Sequence, residues 1–117
     1  MENLRFLIYK DGGRDYRFRL VSSHSTIILF SSPFRSKAGV LRSIANLLHH
    51  LRFHGNFSRR LSPEFQYYFI VRSREGHILA TSRFYEQRDA READMDRLKF
   101  GWSTGQVDDL TLHSRAS

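Results

Sequence analysis

Apolar and polar positions along the chain fall into two successions of the same kind. Arg5 to Lys10, RFLIYK, is an apolar run, and Gly12 to Asp15, GGRD, is a turn. In YRFRLV, strict alternation puts Tyr16, Phe18 and Leu20 on one side of a strand and Arg17 and Arg19 on the other. TIILFS supplies a third strand. Ser36 stands as an N-cap, and Val40, Leu41, Ile44, Leu47, Leu48 and Leu51 recur at helical spacing until Gly55, a residue suited to the C′ position. The second succession runs NFSRRL, a break at Ser62-Pro63, FQYYFIVR, a turn at Glu75-Gly76, HILATS, and a helix from near Gln87 to Lys99. That second helix is far more polar, so it is expected to lie more exposed than the first. Beyond it, Val107 to Leu112 can add an edge strand, with a small polar tail expected to fray over about 112–117.

The two successions are in register. Sliding the chain by 51 positions, without a gap, aligns Phe6 with Phe57, Tyr16 with Tyr67, Phe18 with Phe69, Ser22 with Ser73, Ile27 with Ile78, Ser31 with Ser82 and Leu47 with Leu98. Conservative pairs such as Leu20 and Val71 or Phe34 and Tyr85 fill the intervals. Most matches are positions a core needs, so the periodicity speaks of packing. The expectation is one domain over 1–117 made of two repeats, about 4–54 and 55–105.

Composition agrees with that size. A chain of 117 residues, 40% hydrophobic with 10 Phe, can bury one modest core. Absence of Cys removes disulfides, thiolate metal sites and thiol nucleophiles, which suits a reducing, cytoplasmic setting. No apolar run is long enough to span a bilayer, and MENLRFLIYKDGGRD meets charge and Gly too early for a signal-peptide core. Charge is uneven: residues 1 to 62 hold 11 Lys/Arg against 3 Asp/Glu, and residues 63 to 117 hold 8 against 9. Such a basic half favours an anionic partner. All but three of the 19 basic residues are Arg, which a GC-rich genome also produces without any selection for binding.

The strand-turn-strand pattern followed by Ser-x-x-Tyr/Phe-x-x-Lys/Arg opening a helix resembles the YegP-like family of tandem-repeat domains of unknown function. The stretches that carry it are YRFRLVSSHSTIILFSSPFRSKA and YYFIVRSREGHILATSRFYEQRDA. Where the family has Ala-x-Asn-Gly at the second hairpin turn, this chain has Ser22-Ser23-His24-Ser25 and Ser73-Arg74-Glu75-Gly76. The resemblance implies an α+β fold: two β-β-β-α units forming one antiparallel sheet backed by two helices, with strands exchanged between units. It brings no activity, cofactor or site residue.

Little catalytic chemistry stands out. His49, His50 and His54 lie close together, the last two at i, i+4, but no Cys or carboxylate completes a metal site; the macrodipole alone favours His at a helix C-terminus. Glu86, Asp89, Glu92, Asp94 and Asp96 interleave with Arg88, Arg91 and Arg97, the pattern of a solvated, salt-bridged face rather than an acid–base pair. No Gly-x-Ser-x-Gly and no Gly-rich phosphate loop is present. We therefore expect a binding module, not an enzyme, with no cofactor and no metal.

What remains is surface. With Tyr16, Phe18 and Leu20 under the helices, Arg17 and Arg19 emerge on the opposite side, joined by Tyr68, Ile70 and Arg72 from the second repeat and by Leu7 and Tyr9 from the first strand. Arg interleaved with aromatic rings on an open sheet can hold single-stranded nucleic acid. A second basic group, Arg35, Lys37 and Arg42 at the start of the first helix with Arg59 and Arg60 on the next strand, can meet phosphate at a helix N-terminus. The competing reading is a protein-interaction or dimerisation domain that uses a sheet edge and the apolar residues Leu7, Tyr9, Tyr68 and Ile70. Long Arg stems lying across the rings of a solvated face would account for the same pattern without any ligand.

Overall fold

A computed structural model describes residues 3–51, 57–101 and 103–115. Among these residues seven strands form one sheet: β1 (Asn3–Asp11), β2 (Asp15–Val21), β3 (Ile27–Phe30), β4 (Phe57–Leu61), β5 (Tyr67–Arg72), β6 (Ile78–Ser82) and β7 (Ser103–Asp109). Their order is β4-β5-β6-β3-β2-β1-β7. Two helices, α1 (Lys37–His50) and α2 (Arg88–Asp96), lie on one side, and a π-helical turn continues α2 over Arg97–Gly101.

Local chemistry sets these elements. Gly12 and Gly13, both at positive φ, turn β1 back onto β2 so that Phe6 pairs with Leu20 and Ile8 with Phe18. Ser36 caps α1 by accepting a hydrogen bond from the Gly39 N–H at 3.1 Å, and Leu51 closes the helix through Leu47 O. Gly55, read from the sequence as its stop, falls outside the described residues. Val40, Ile44 and Leu47 point into a single core shared with Phe6, Phe18, Phe69, Val71, Met95 and Leu98. Burying each large side chain contributes roughly 1.5–3 kcal/mol.

Hydrogen bonds recur 51 residues apart. Ser31 Oγ accepts from Phe18 N at 2.9 Å and donates to Ser32 O at 2.8 Å; Ser82 Oγ accepts from Phe69 N at 2.9 Å and donates to Arg83 O at 2.7 Å. Tyr16 and Phe34 exchange both backbone bonds at 2.8 Å, as Tyr67 and Tyr85 do at 2.8 and 2.7 Å. Ser25 and Gly76 occupy the same place in equivalent turns, each with positive φ.

Four expectations are corrected. The first three strands of each unit are not exchanged: β1-β2-β3 and β4-β5-β6 each pair in chain order, because short turns keep consecutive strands adjacent, and these two sets meet where Leu29 faces Ser82 and Phe30 faces Thr81; only β7, after the second helix, crosses to the first unit's edge beside β1. The sheet is not wholly antiparallel, since β7 runs parallel to β1. Its chain arrives from the helix layer rather than through a hairpin. The final apolar segment is split: Asp109 Oδ1 accepts from Thr111 N at 2.9 Å, and Leu110–Arg115 leaves the sheet as a 3₁₀ turn that takes in residues 112–115 of the expected tail.

The fourth concerns α2: Glu86, Arg88, Asp89, Asp96 and Arg97 are exposed as expected of a solvated face, but Arg91 and Asp94 are not. Asp94 is buried and accepts hydrogen bonds from Tyr85 Oη at 2.6 Å, Arg83 at 3.0 Å and Arg97 at 2.9 Å. Arg91, also buried, spans Glu92 at 2.9 Å and Arg60 O at 3.2 Å while its guanidinium sits over the Tyr67 ring. Burial, reinforced by the bond to Asp94, holds the Tyr85 hydroxyl far above its ordinary titration range.

Candidate interaction face

Alternation along the strands assigns every second side chain to the face without helices, and paired residues share a face. One row crosses all seven strands in register: Asp108, Leu7, Arg19, Phe30, Thr81, Ile70 and Ser58. Tyr9 and Arg17 flank it in the first unit, Tyr68 and Arg60 in the second. Phe30, at the seam between the units, is 38% exposed, and Phe84, packed edge-on against Tyr68, is 56% exposed. No described helix covers this side.

Its arginines are largely engaged within the sheet. Arg19 lies over the Tyr9 ring, 4.3 Å from its centroid. Arg17 Nε approaches Asp11 Oδ2 to 2.6 Å, and Arg5 reaches Asp108 at 3.3 Å. The Nε atoms of Arg17 and Arg19 are nevertheless buried without an aligned acceptor among the described residues. Arg72 folds back on its own hairpin to donate to Gly76 O at 2.8 Å, and Arg60 reaches Ser58 Oγ at 3.2 Å.

The ten residues singled out from the sequence therefore divide. Tyr9, Arg17, Arg19, Arg60, Tyr68 and Arg72 belong to strands on the open side, whereas Arg35, Lys37, Arg42 and Arg59 do not join them. Arg59 pairs in register with Phe69 and so points to the helix side, where Glu92 takes it in a bidentate bond at 2.7–2.9 Å. Adjacent residues of a strand cannot share a face, so Arg59 and Arg60 cannot act together. Lys37 is held by Asp109 at 2.8 Å, and Arg42 projects from the exposed side of α1 near Ile78 and Leu79. The phosphate site expected from Arg35, Lys37, Arg42, Arg59 and Arg60 is not assembled.

Charge pairing also fixes protonation. Hydrogen bonding from Arg59 holds the Glu92 carboxyl below its ordinary range, and for Asp109 the bonds from Lys37 and Thr111 outweigh a burial effect in the opposite sense. Among the described residues no cluster of three His, Asp or Glu forms a metal site; His50 Nδ1 lies 2.8 Å from Asn46 O, and His54 is outside them. No described helix is long and apolar enough to cross a membrane. Sequence reasoning missed the exposed Phe30 and Phe84; the phase of β3 was available to place Phe30, whereas the Phe84 contact with Tyr68 shows only in the fold.

Comparison with known proteins supplies a family context. The chain is 28% identical over 102 residues to a UPF0339 protein of Acinetobacter baylyi, covering 87% of this chain and 90% of that one. It is 23% identical over 94 residues to a UPF0339 protein from the ptx operon 5′ region of Stutzerimonas stutzeri, covering 80% and 85%. This chain is similar to UPF0339 proteins. Two solution NMR structures share its fold: a UPF0339 protein of Shewanella oneidensis (19% identity, TM-score 0.83, 92% of both chains) and the protein of unknown function yegP from E. coli (20%, 0.83, 94% and 95%). No family model matches the chain.

Proposed function

We propose that the chain is a divergent UPF0339 protein, a single cytoplasmic domain made of a tandem β-β-β-α repeat, and that it binds a protein partner through the open face of its sheet. The shared hydrogen-bond pattern 51 residues apart supports the repeat. One observation carries the functional reading: both helices lie on one side, while the other presents Phe30 and Phe84 to solvent beside Leu7, Tyr9 and Tyr68. Exposed rings rimmed by arginine are the make-up of interface cores. With a net charge of +7, a second copy would oppose like charges, so the partner is acidic.

A second reading is single-stranded nucleic acid, favoured by the Arg19–Tyr9 stack and the Tyr68–Phe84 pair. Ion pairing of Arg5 and Arg17 within the sheet argues against it, because those charges are already neutralised. Fluorescence anisotropy with single-stranded oligonucleotides at two salt concentrations separates the readings. The protein-partner reading predicts weak association that Arg19→Ser barely changes. Tight binding with a steep salt slope, lost in Arg19→Ser, would replace it with the nucleic-acid reading.

A further inference from the structure

Beside the β1–β2 turn a cavity of about 570 Å³ is lined by Arg14, Asp15, Pro33, Phe34 and Arg35. The turn and the reciprocal Tyr16–Phe34 bonds build it: Gly12-Gly13 delivers Arg14 to the start of β2, and the antiparallel bridge sets Arg35 across from Asp15. Arg14 and Arg35 are exposed, and neither makes an ion pair with a carboxylate among the described residues. Asp15 is likewise unpaired, although Arg35 is its neighbour across the bridge.

The fold does not demand this arrangement. Fifty-one residues later the equivalent Tyr67–Tyr85 bridge brings Gln66 opposite Glu86, and the cavity there is lined by Tyr67, Glu86, Gln87, Arg88 and Asp89. Two unneutralised guanidinium groups around one cavity repel each other unless an anion lies between them. A carboxylate in the same lining repels a fully deprotonated anion but accepts a hydrogen bond from one that keeps a proton. Inorganic phosphate keeps one near neutral pH, a phosphate monoester keeps one at about pH 6 and below, and sulfate keeps none.

We propose that this cavity binds a phosphate group, free or esterified at one oxygen, with Arg14 and Arg35 neutralising its charge and Asp15 accepting the hydrogen of its P–OH. Phe34 and Pro33 supply an apolar wall for the body of an ester. No covalent step is involved.

Backbone amide NMR shifts of the full chain, followed at pH 6 and constant ionic strength, test the site with inorganic phosphate, phenyl phosphate and sulfate. Saturable shifts at Asp15, Phe34 and Arg35, with none at Gln66 and Glu86, are expected for both phosphates, and sulfate should bind about tenfold more weakly. Tighter binding of phenyl phosphate identifies an ester as the source, and tighter inorganic phosphate identifies the free ion. Arg14→Gln and Arg35→Gln should each abolish saturation, whereas Arg14→Lys should retain part of it. Asp15→Asn should raise sulfate affinity toward that of phosphate. Equal affinity for phosphate and sulfate, or parallel shifts at both corners, would overturn the proposal. Binding that appears only with an oligonucleotide would overturn it too.

Discussion

Phe18 and Arg19 are consecutive in β2 and point to opposite sides of the sheet. Phe18 is fully buried, edge-on to Phe6 in a core that runs through both units; Arg19 lies over the Tyr9 ring on the side no described helix covers. The helix side joins the two units by apolar contact, and within the second unit Asp94 adds buried ionic bonds. The open side is joined only by cross-strand rows and carries its aromatic rings outward. One strand pattern thus makes a scaffold on one face and a docking surface on the other, and substitutions should separate the two roles.

The largest effect belongs to the core. Phe18→Ala and Phe69→Ala should each lower stability by about 3–5 kcal/mol in denaturant titrations. Phe30→Ser, on the open face, should cost about 1 kcal/mol or less. Similar losses at positions 18 and 30 would mean that the open face is part of the core.

Next comes the buried network. Asp94→Ala leaves the Tyr85 hydroxyl and the Arg83 guanidinium without their acceptor and should cost about 3 kcal/mol. Ser43→Ala, at the corresponding position of α1, should stay within about 0.5 kcal/mol. A small loss at Asp94 would return α2 to the solvated helix expected from its composition.

Ser25 holds positive φ where the equivalent turn has Gly76. Ser25→Gly should stabilise the protein by up to about 1 kcal/mol, since the left-handed backbone disfavours a Cβ. Its effect lies at the edge of the comparison, because both faces share that turn.

Smallest is the pH response of the Arg59–Glu92 bridge. Glu92 titrates below its ordinary 4.5, so the bridge stabilises the fold above that value and its contribution fades as pH falls through the lowered folded-state range. Both side chains are about one-third or more exposed, which limits the effect to a few tenths of a kcal/mol. Glu92→Gln should flatten that part of the acid slope in stability measured between pH 6 and pH 3.

Alternation in β2 and β5, the turns at Gly12-Gly13 and Glu75-Gly76, and the Ser36 cap were legible because each depends on residues near in sequence. The split of Arg17 and Arg19 from Phe18 followed from the same period. What did not follow depends on partners far along the chain: Lys37 is claimed by Asp109, Arg59 by Glu92, and Arg91 by Arg60 O. Charged residues on α2 looked solvated because spacing alone cannot tell an i, i+4 surface pair from a carboxylate that receives Tyr85. The direction of β7 was equally hidden, since it is decided by which sheet edge the returning chain reaches.

The most direct test of the docking-face account is site-specific photo-crosslinking in living cells that make the protein. A benzophenone side chain would replace Phe30 on the open face or Leu41 on the exposed side of α1, which is 47% solvent-exposed. The account predicts a discrete acidic protein adduct from position 30 that disappears in an Arg19→Glu background, and none from position 41. Adducts to nucleic acid at position 30, or equal protein adducts from both positions, would contradict it.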